Sequence, residues 1–432
     1  MKMANMDDYF DVVIVGTGAA GLYCALNLPA RYRILLLTKQ KADESDSFLA
    51  QGGICMQHGE ADYRPFFDDT MRAGHYENNP ATVDLMIRSS NSIIRDLVRR
   101  GVRFARDDHG ALRFTREGAH SRPRILFHED ITGHEITQTL LNEVLRCENI
   151  ELREHTTLLD FFADASACGG VIAADPDGEP RAIGAGAVVL ACGGIGGLYK
   201  NSTNFPHITG DAIAMALRHG VACEHLDYIQ IHPTTLYSHR KGRRFLISES
   251  VRGEGALLLD KNGNRFTNEL QPRDVVSAAI RAQMEKDGTD HVWEDMRPIG
   301  EAAIREHFPN ILERCEEEGY DPIHEPIPVV PAQHYFMGGI TADLSSRTAL
   351  PRLYACGETC CNGVHGRNRL ASNSLLESLV FAQRAADDIL YGEPPVFTGD
   401  KPDLAPYREQ EPLFAAYQQE VLTAIERSKN HE

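Results

Sequence analysis

Asp11-Val12-Val13-Ile14-Val15 is a β-branched, apolar run that reads as a strand buried on both faces. It leads with no spacer into Gly16-Thr17-Gly18-Ala19-Ala20-Gly21, after which Leu22, Ala25 and Leu26 recur at helical spacing. Strand, G-x-G-x-x-G and helix in that order are what a βαβ dinucleotide unit needs. The glycines let the backbone approach a pyrophosphate, and the N–H groups of the helix N-terminus receive it. A Gly-rich turn in any βαβ unit would carry the same letters, so the motif constrains the fold more tightly than the ligand. The second strand, Ile34-Leu35-Leu36-Leu37, runs into Thr38-Lys39. An NAD site favours an acid here to hold the ribose 2′-OH, and Lys39 departs from that rule.

The strand-then-glycine form returns twice, at Ala187-Val188-Val189-Leu190-Ala191-Cys192-Gly193-Gly194 and at Leu353-Tyr354-Ala355-Cys356-Gly357-Glu358. One such turn is weak evidence. Three, spread along the chain, predict a sheet whose strand ends converge on one long cofactor, and FAD has that length. Asp46-Ser47-Phe48-Leu49-Ala50-Gln51-Gly52-Gly53 adds a polar Gly-rich loop able to run beside a flavin. Near the C-terminus, Gly366-Arg367-Asn368-Arg369-Leu370-Ala371-Ser372-Asn373-Ser374-Leu375 places two arginines in a turn-forming loop ahead of a helical pattern. Ser372 or Asn373 is a natural N-cap there, and guanidinium groups beside a helix N-terminus suit a carboxylate. A solvated basic loop capping a helix is the plainer reading of the same residues.

The length of 432 residues predicts two intertwined domains or one large domain with an insertion, and 42% apolar residues with 36 glycines suit an α/β enzyme. A net charge of −18 argues against nucleic acid or an anionic membrane as partner, so an anionic substrate must be drawn in by a local basic site. No apolar run reaches the ~18 residues of a membrane helix. The N-terminus carries no basic-then-apolar leader, and the ten scattered cysteines include no C-x-x-C pair. Reduced thiols and a cytoplasmic location are expected. No metal site is implied.

With these pieces in place, the chain resembles the fumarate reductase/succinate dehydrogenase flavoprotein superfamily, and within it the aspartate oxidases. The resemblance covers roughly residues 8 to 390. Besides the three flavin strands it rests on Ala50-Gln51-Gly52-Gly53, Thr209-Gly210-Asp211, His232-Pro233-Thr234, Arg252-Gly253-Glu254-Gly255, Pro272-Arg273-Asp274, His334-Tyr335 and the arginine loop. It implies a Rossmann-like FAD-binding domain in two segments, 1–225 and 336–392, with an inserted α+β capping domain, 226–335, and a short C-terminal helical tail, 393–432. Residues 301–321 read as a charged helical stretch, and 325–331 as an extended return linker. The tail reads as a Pro-rich segment, 392–406, and one helix ending near Arg427. The C-terminal bundle of many members is then absent or reduced to a stub, and the stretch 267–271 is shorter than usual.

The resemblance also implies roles. FAD would be held non-covalently by Gly16, Thr17, Gly18, Ala19, Ala20, Gly21, Lys39, Ser45, Ser47, Ala50, Gln51, Gly52, Gly53, Gly193, Asp211, Glu358, Asn373, Ser374 and Leu375. Asp46 stands where succinate dehydrogenases carry the histidine that links to FAD. Gln230, His232, Ser248, His334 and Arg369 would bind a C4 dicarboxylate. Arg273 matches the catalytic arginine, and Glu249 and Arg252 match a proton-relay pair. Whether Arg273 takes a proton or only orients a carboxylate is left open. Glu117 discriminates within the superfamily, because an acid repels succinate and fumarate but pairs with the α-ammonium of aspartate. The implied reaction is FAD-dependent oxidation of L-aspartate to iminoaspartate, with fumarate or oxygen as acceptor and quinolinate synthase as the next enzyme in NAD biosynthesis. A soluble fumarate reductase and a non-catalytic flavin or dicarboxylate sensor are the alternatives. Glu117 argues against the first and the intact set Glu249, Arg252 and Arg273 against the second.

Overall fold

In the computed structural model, which describes residues 8–240 and 242–429, the strand Tyr9–Val15 lies inside a seven-stranded sheet. The outermost residues of the expected first and last segments, 1–7 and 430–432, lie outside the described residues. Ile150–Arg153, Ile34–Leu37, Tyr9–Val15 and Pro180–Leu190 lie side by side in that order, all parallel. Cys168–Ala174 and Thr157–Ala163 extend the sheet antiparallel. Leu353–Ala355 pairs in parallel with the far end of Pro180–Leu190, through Leu353 to Val188 and Ala355 to Leu190. The three glycine turns are therefore neighbours at the C-terminal ends of adjacent parallel strands, where doubly wound sheets bind ligands.

Alternation along the strands divides the interior. Val12, Ile14, Ile34 and Leu36 face the helices Ala19–Asn27, Pro80–Arg100, Thr132–Val144 and Asn373–Tyr391. Phe10, Val13, Val15, Leu35 and Leu37 face the helices Asp211–Arg218 and Gln410–Lys429. The last of these is the one helix expected in the tail, and it packs on the sheet. Tyr417, Val421 and Ile425 are buried against the sheet, and the Tyr417 hydroxyl donates to the Leu159 carbonyl at 2.7 Å.

The inserted region leaves and returns through paired segments, Cys223–Glu224 against Gly339–Thr341. Its own sheet orders Ile229–Leu236, Ile327–Phe336, Val292–Asp295 and Leu257–Leu259. The helices Arg273–Asp287, Glu301–His307 and Pro309–Glu317 cover it through Val276, Ile280, Ile304 and Ile311. The segment expected as a return linker is instead part of an inner strand of this sheet, paired on both sides. Prolines usually bar such a position. Here the register slips between His232 and Thr235, so Pro233 and Pro331 fall at an irregularity where the missing N–H groups interrupt no ladder bond.

Candidate active site

The cleft between sheet and cap is lined by all three glycine turns, by the loop 45–53 and by polar groups of both domains. Gly16 adopts φ +114°, and a Cβ there would meet the Ala191 carbonyl oxygen at 2.0 Å, so the first turn closes on the second only with glycine. Gly21 packs as closely on the Gly16 carbonyl and, like Ala19, does not line the cleft. The Ala19 N–H at the helix N-terminus is taken by Ser47 Oγ at 3.0 Å. Lys39 contacts Asp211 Oδ2 at 2.7 Å, and Thr209 holds the other oxygen at 2.7 Å, which ties the second strand to the Thr-Gly-Asp turn. Burial raises Asp46 to about 7 and pushes Glu358 well above the carboxylate range. Both carboxyls line the cleft, where they can bond a hydroxyl-rich ligand. Asn373, also expected at the cofactor, is turned away and donates to Thr70 Oγ1 at 3.2 Å.

At the cap side the cleft is cationic. Arg273 is the first residue of its helix, after Pro272. Its Nε donates to Glu249 Oε2 and its Nη1 to Gln230 Oε1 at 2.8 Å. The Gln230 Nε2 group bonds Asn368 Oδ1 at 2.9 Å and the Arg369 carbonyl at 2.8 Å. Gln230 does not itself line the cleft: it braces two arginines from behind. Arg252 is also set back, 3.7 Å from Glu249 and donating to the Glu269 carbonyl at 2.6 Å. Burial alone would raise Glu249, but the charges of Arg273 and Arg252 overcome it and hold that carboxyl below its ordinary range. Arg273, Glu249 and Arg252 thus form a continuous charged chain from the cleft into the cap.

His232 and His334 stand edge to face, with ring centroids 5.0 Å apart. Burial and the Arg273 charge keep both neutral, well below the usual histidine range. His232 Nδ1 lies 3.2 Å from the Thr234 N–H and 3.0 Å from the Thr234 carbonyl. The Nδ1 edge is thus held by the Thr234 backbone, and the opposite nitrogen, Nε2, is buried without a partner. Thr203 Oγ1 bonds His334 Nδ1 at 2.8 Å. Arg369 is buried, with its guanidinium 4.4 Å from the Tyr335 ring, Nη1 on Ser374 and Nε unpartnered. Burial and Arg273 lower it to about 10. The neighbouring Arg367 is instead half-exposed beside Glu77, so the tertiary fold separates the two loop arginines.

Glu117 is 3% exposed and lines the same cleft. Its Oε1 accepts from Ser250 Oγ at 2.9 Å and its Oε2 from Ser372 Oγ at 2.6 Å. Ser372 occupies the N-cap position as expected, at φ +60°, but makes no side-chain cap bond, because its hydroxyl serves Glu117. Ser250 and Thr203 escaped the sequence reading. Ser250 sits inside Ser248-Glu249-Ser250-Val251-Arg252, where only its hydroxyl chemistry could have pointed to it.

Residues 11–375 match the family model described as an FAD binding domain. The chain is 48% identical to the L-aspartate oxidase of Clostridium perfringens, over 88% of this chain and 86% of that protein. It is 47% identical to the L-aspartate oxidase of Clostridium acetobutylicum, over 88% and 87%. The chain belongs to the L-aspartate oxidase family. Among solved structures, a point-mutated form of the E. coli quinol fumarate reductase FrdA superposes with a TM-score of 0.83 at 31% identity. That match covers 95% of this chain and 74% of the other. FAD is the cofactor of this family member, and the cleft suits it. Unpartnered buried polar atoms gather along the lining at Ser45 Oγ, Asp46 Oδ2 and Gln51 Oε1, and the Gly16 turn leaves backbone room. With Asp46 in place of a linking histidine, denaturation by acid should release all yellow colour into the supernatant. Flavin left on the precipitated chain would contradict a non-covalent site.

Proposed function

We propose that the protein oxidises L-aspartate to iminoaspartate in this cleft. The observation that carries the reading is Glu117, a buried acid among the cationic and donor groups suited to a dicarboxylate. Succinate and fumarate gain nothing from a carboxylate there, whereas the aspartate ammonium gains a desolvated ion pair. In this reading Arg369, His334, His232 and Ser248 receive the two substrate carboxylates. Glu117 receives the ammonium, and Gln230 keeps Arg273 and the Arg369 backbone in register. FAD, when bound, supplies the two-electron acceptor for the hydride that leaves Cα. The ammonium must also shed a proton before its nitrogen can form the C=N bond. The chain Arg273, Glu249, Arg252 offers a path for that proton, supported by the Arg273–Glu249 hydrogen bond and the ion pair of Glu249 with Arg252 at 3.7 Å.

The same chain can return a proton to fumarate, which fits the site without the ammonium. Fumarate is then one electron acceptor and oxygen another, and excess fumarate competes with aspartate. The iminoaspartate product hydrolyses in water, so prompt use by quinolinate synthase, on the route to NAD in the cytoplasm, is the coherent next step. Anaerobic mixing tests the reading: L-aspartate should bleach the flavin and succinate should not. Aspartate plus fumarate should then yield succinate without oxygen. Absence of succinate at millimolar fumarate, with the flavin fully reduced by aspartate, would reject the shared site.

A further inference from the structure

We infer that Ser250 and Ser372 set the preference for the aminated substrate, by holding Glu117 from the cap and from the flavin domain as an oriented, ionised partner for the ammonium. The inference rests on the aspartate reading above and assigns the residues that make Glu117 selective.

The two hydroxyls come from different bodies. Ser250 lies in the cap segment Glu249–Gly253, and Ser372 precedes the helix Asn373–Tyr391 that packs on the main sheet. Each donates to a different oxygen of Glu117, at 2.9 and 2.6 Å, and all three side chains are buried. A hydroxyl that donates to a carboxylate favours its ionised form. A third segment borders the position: a Cβ on Gly52 would stand 2.3 Å from Glu117 Oε1, so a side chain in the flavin-side loop there would displace the carboxylate. Ser372 is itself pinned in a left-handed conformation uncommon for serine. The Cys55 N–H bonds its carbonyl at 3.0 Å. The preceding Ala371 carbonyl lies 3.0 Å from His120 Nε2, and Arg124 Nη1 lies 2.8 Å from the other ring nitrogen. Since arginine can only donate, His120 carries its proton on Nε2 and donates it to Ala371. Arg124, fully buried, is anchored on Asp62 and Asp69. This stiff chain, like Glu117 itself, comes from the stretch 117–124 or is held by it.

The charges around Glu117 oppose one another. Burial and Glu249 push its proton affinity up, while Ser372, Arg273 and Ser250 pull it down, and the net shift is upward. The Cys55 thiol also feels its charge. The hydroxyls therefore work where ionisation is already hard. Aspartate needs the carboxylate, so its oxidation falls as pH drops through the Glu117 value. Removing either hydroxyl raises that value and moves the acid limb to higher pH. Fumarate has no ammonium and follows no such limb.

The test compares wild type, Ser372→Ala, Ser250→Ala and Ser250→Thr as FAD-loaded enzymes. Stopped flow reads flavin reduction by aspartate and reoxidation by fumarate across pH. Each alanine variant should lower aspartate kcat/KM on the order of tenfold relative to fumarate, chiefly through weaker binding, with the acid limb moved upward. Ser250→Thr keeps the hydroxyl and should restore the ratio. Parallel loss of both half-reactions, or an unmoved acid limb, would overturn the inference and leave the serines a packing role. A wild-type flavin that aspartate leaves oxidised would instead overturn the aspartate reading, and this inference with it.

Discussion

Arg273→Lys should lose aspartate oxidation by roughly two to three powers of ten while keeping FAD and the fold, since breaking a buried pair costs about 3–5 kcal/mol. The guanidinium makes two directed bonds at once, Nε to Glu249 and Nη1 to Gln230, and still reaches the cleft. A lysine ammonium supplies charge without that planar fork. It would either satisfy Glu249 and leave Gln230 unbraced, or reach the substrate and leave Glu249 poorly paired. Gln230 also holds the Arg369 carbonyl, so the disturbance reaches the second arginine. Fumarate reduction should fall in parallel, because both directions use the same proton chain. A lysine variant within tenfold of wild type would show that only positive charge matters at this position. Flavin absorbance and the thermal unfolding midpoint should stay near wild type, which separates lost chemistry from lost folding.

Glu117→Gln should have the second-largest effect, and an asymmetric one. Glutamine keeps the shape and can still accept from one serine hydroxyl, but it removes the charge that meets the ammonium. Loss of one partner of a desolvated pair costs about 3–5 kcal/mol, so aspartate kcat/KM should drop by roughly two to three powers of ten. Fumarate reduction should survive or improve, because a repulsive charge has gone. Measuring both half-reactions on the same preparation decides the matter, and equal loss of both would end the discriminating role assigned to Glu117.

Much of this was legible in the chain itself. The β-branched strand ending in the glycine turn 16–21 called for a βαβ unit, and the repeats near Gly193 and Gly357 called for strand ends meeting at one cofactor. Both readings depend on local chemistry: continuous β-branched apolar runs and glycine conformations that no other residue adopts cheaply. The resemblance added roles residue by residue, and most of the named side chains do gather in one cleft. Where the sequence reading differed from the structure, long-range partners made the difference. The stretch 325–331 has the letters of an extended linker, yet a bulge opposite Pro233 lets it enter an inner strand. The tail helix was expected, but that its Tyr417, Val421 and Ile425 complete a core face was set by the sheet they meet.

The sequence alone determined the fold class, the flavin turns and the inventory of charged groups able to meet an amino dicarboxylate. Tertiary structure alone decided which of those groups face the cleft and which brace it. Gln230 and Arg252 stand behind Arg273 and Glu249, Arg367 is separated from Arg369, and Ser372 gives its hydroxyl to Glu117 rather than to its own helix. The reason is one of range. Backbone conformation and burial periodicity are set by neighbours along the chain. The direction of a side chain, and the charge it carries when buried, are set by residues more than a hundred positions away, as Ser250 and Ser372 are from Glu117.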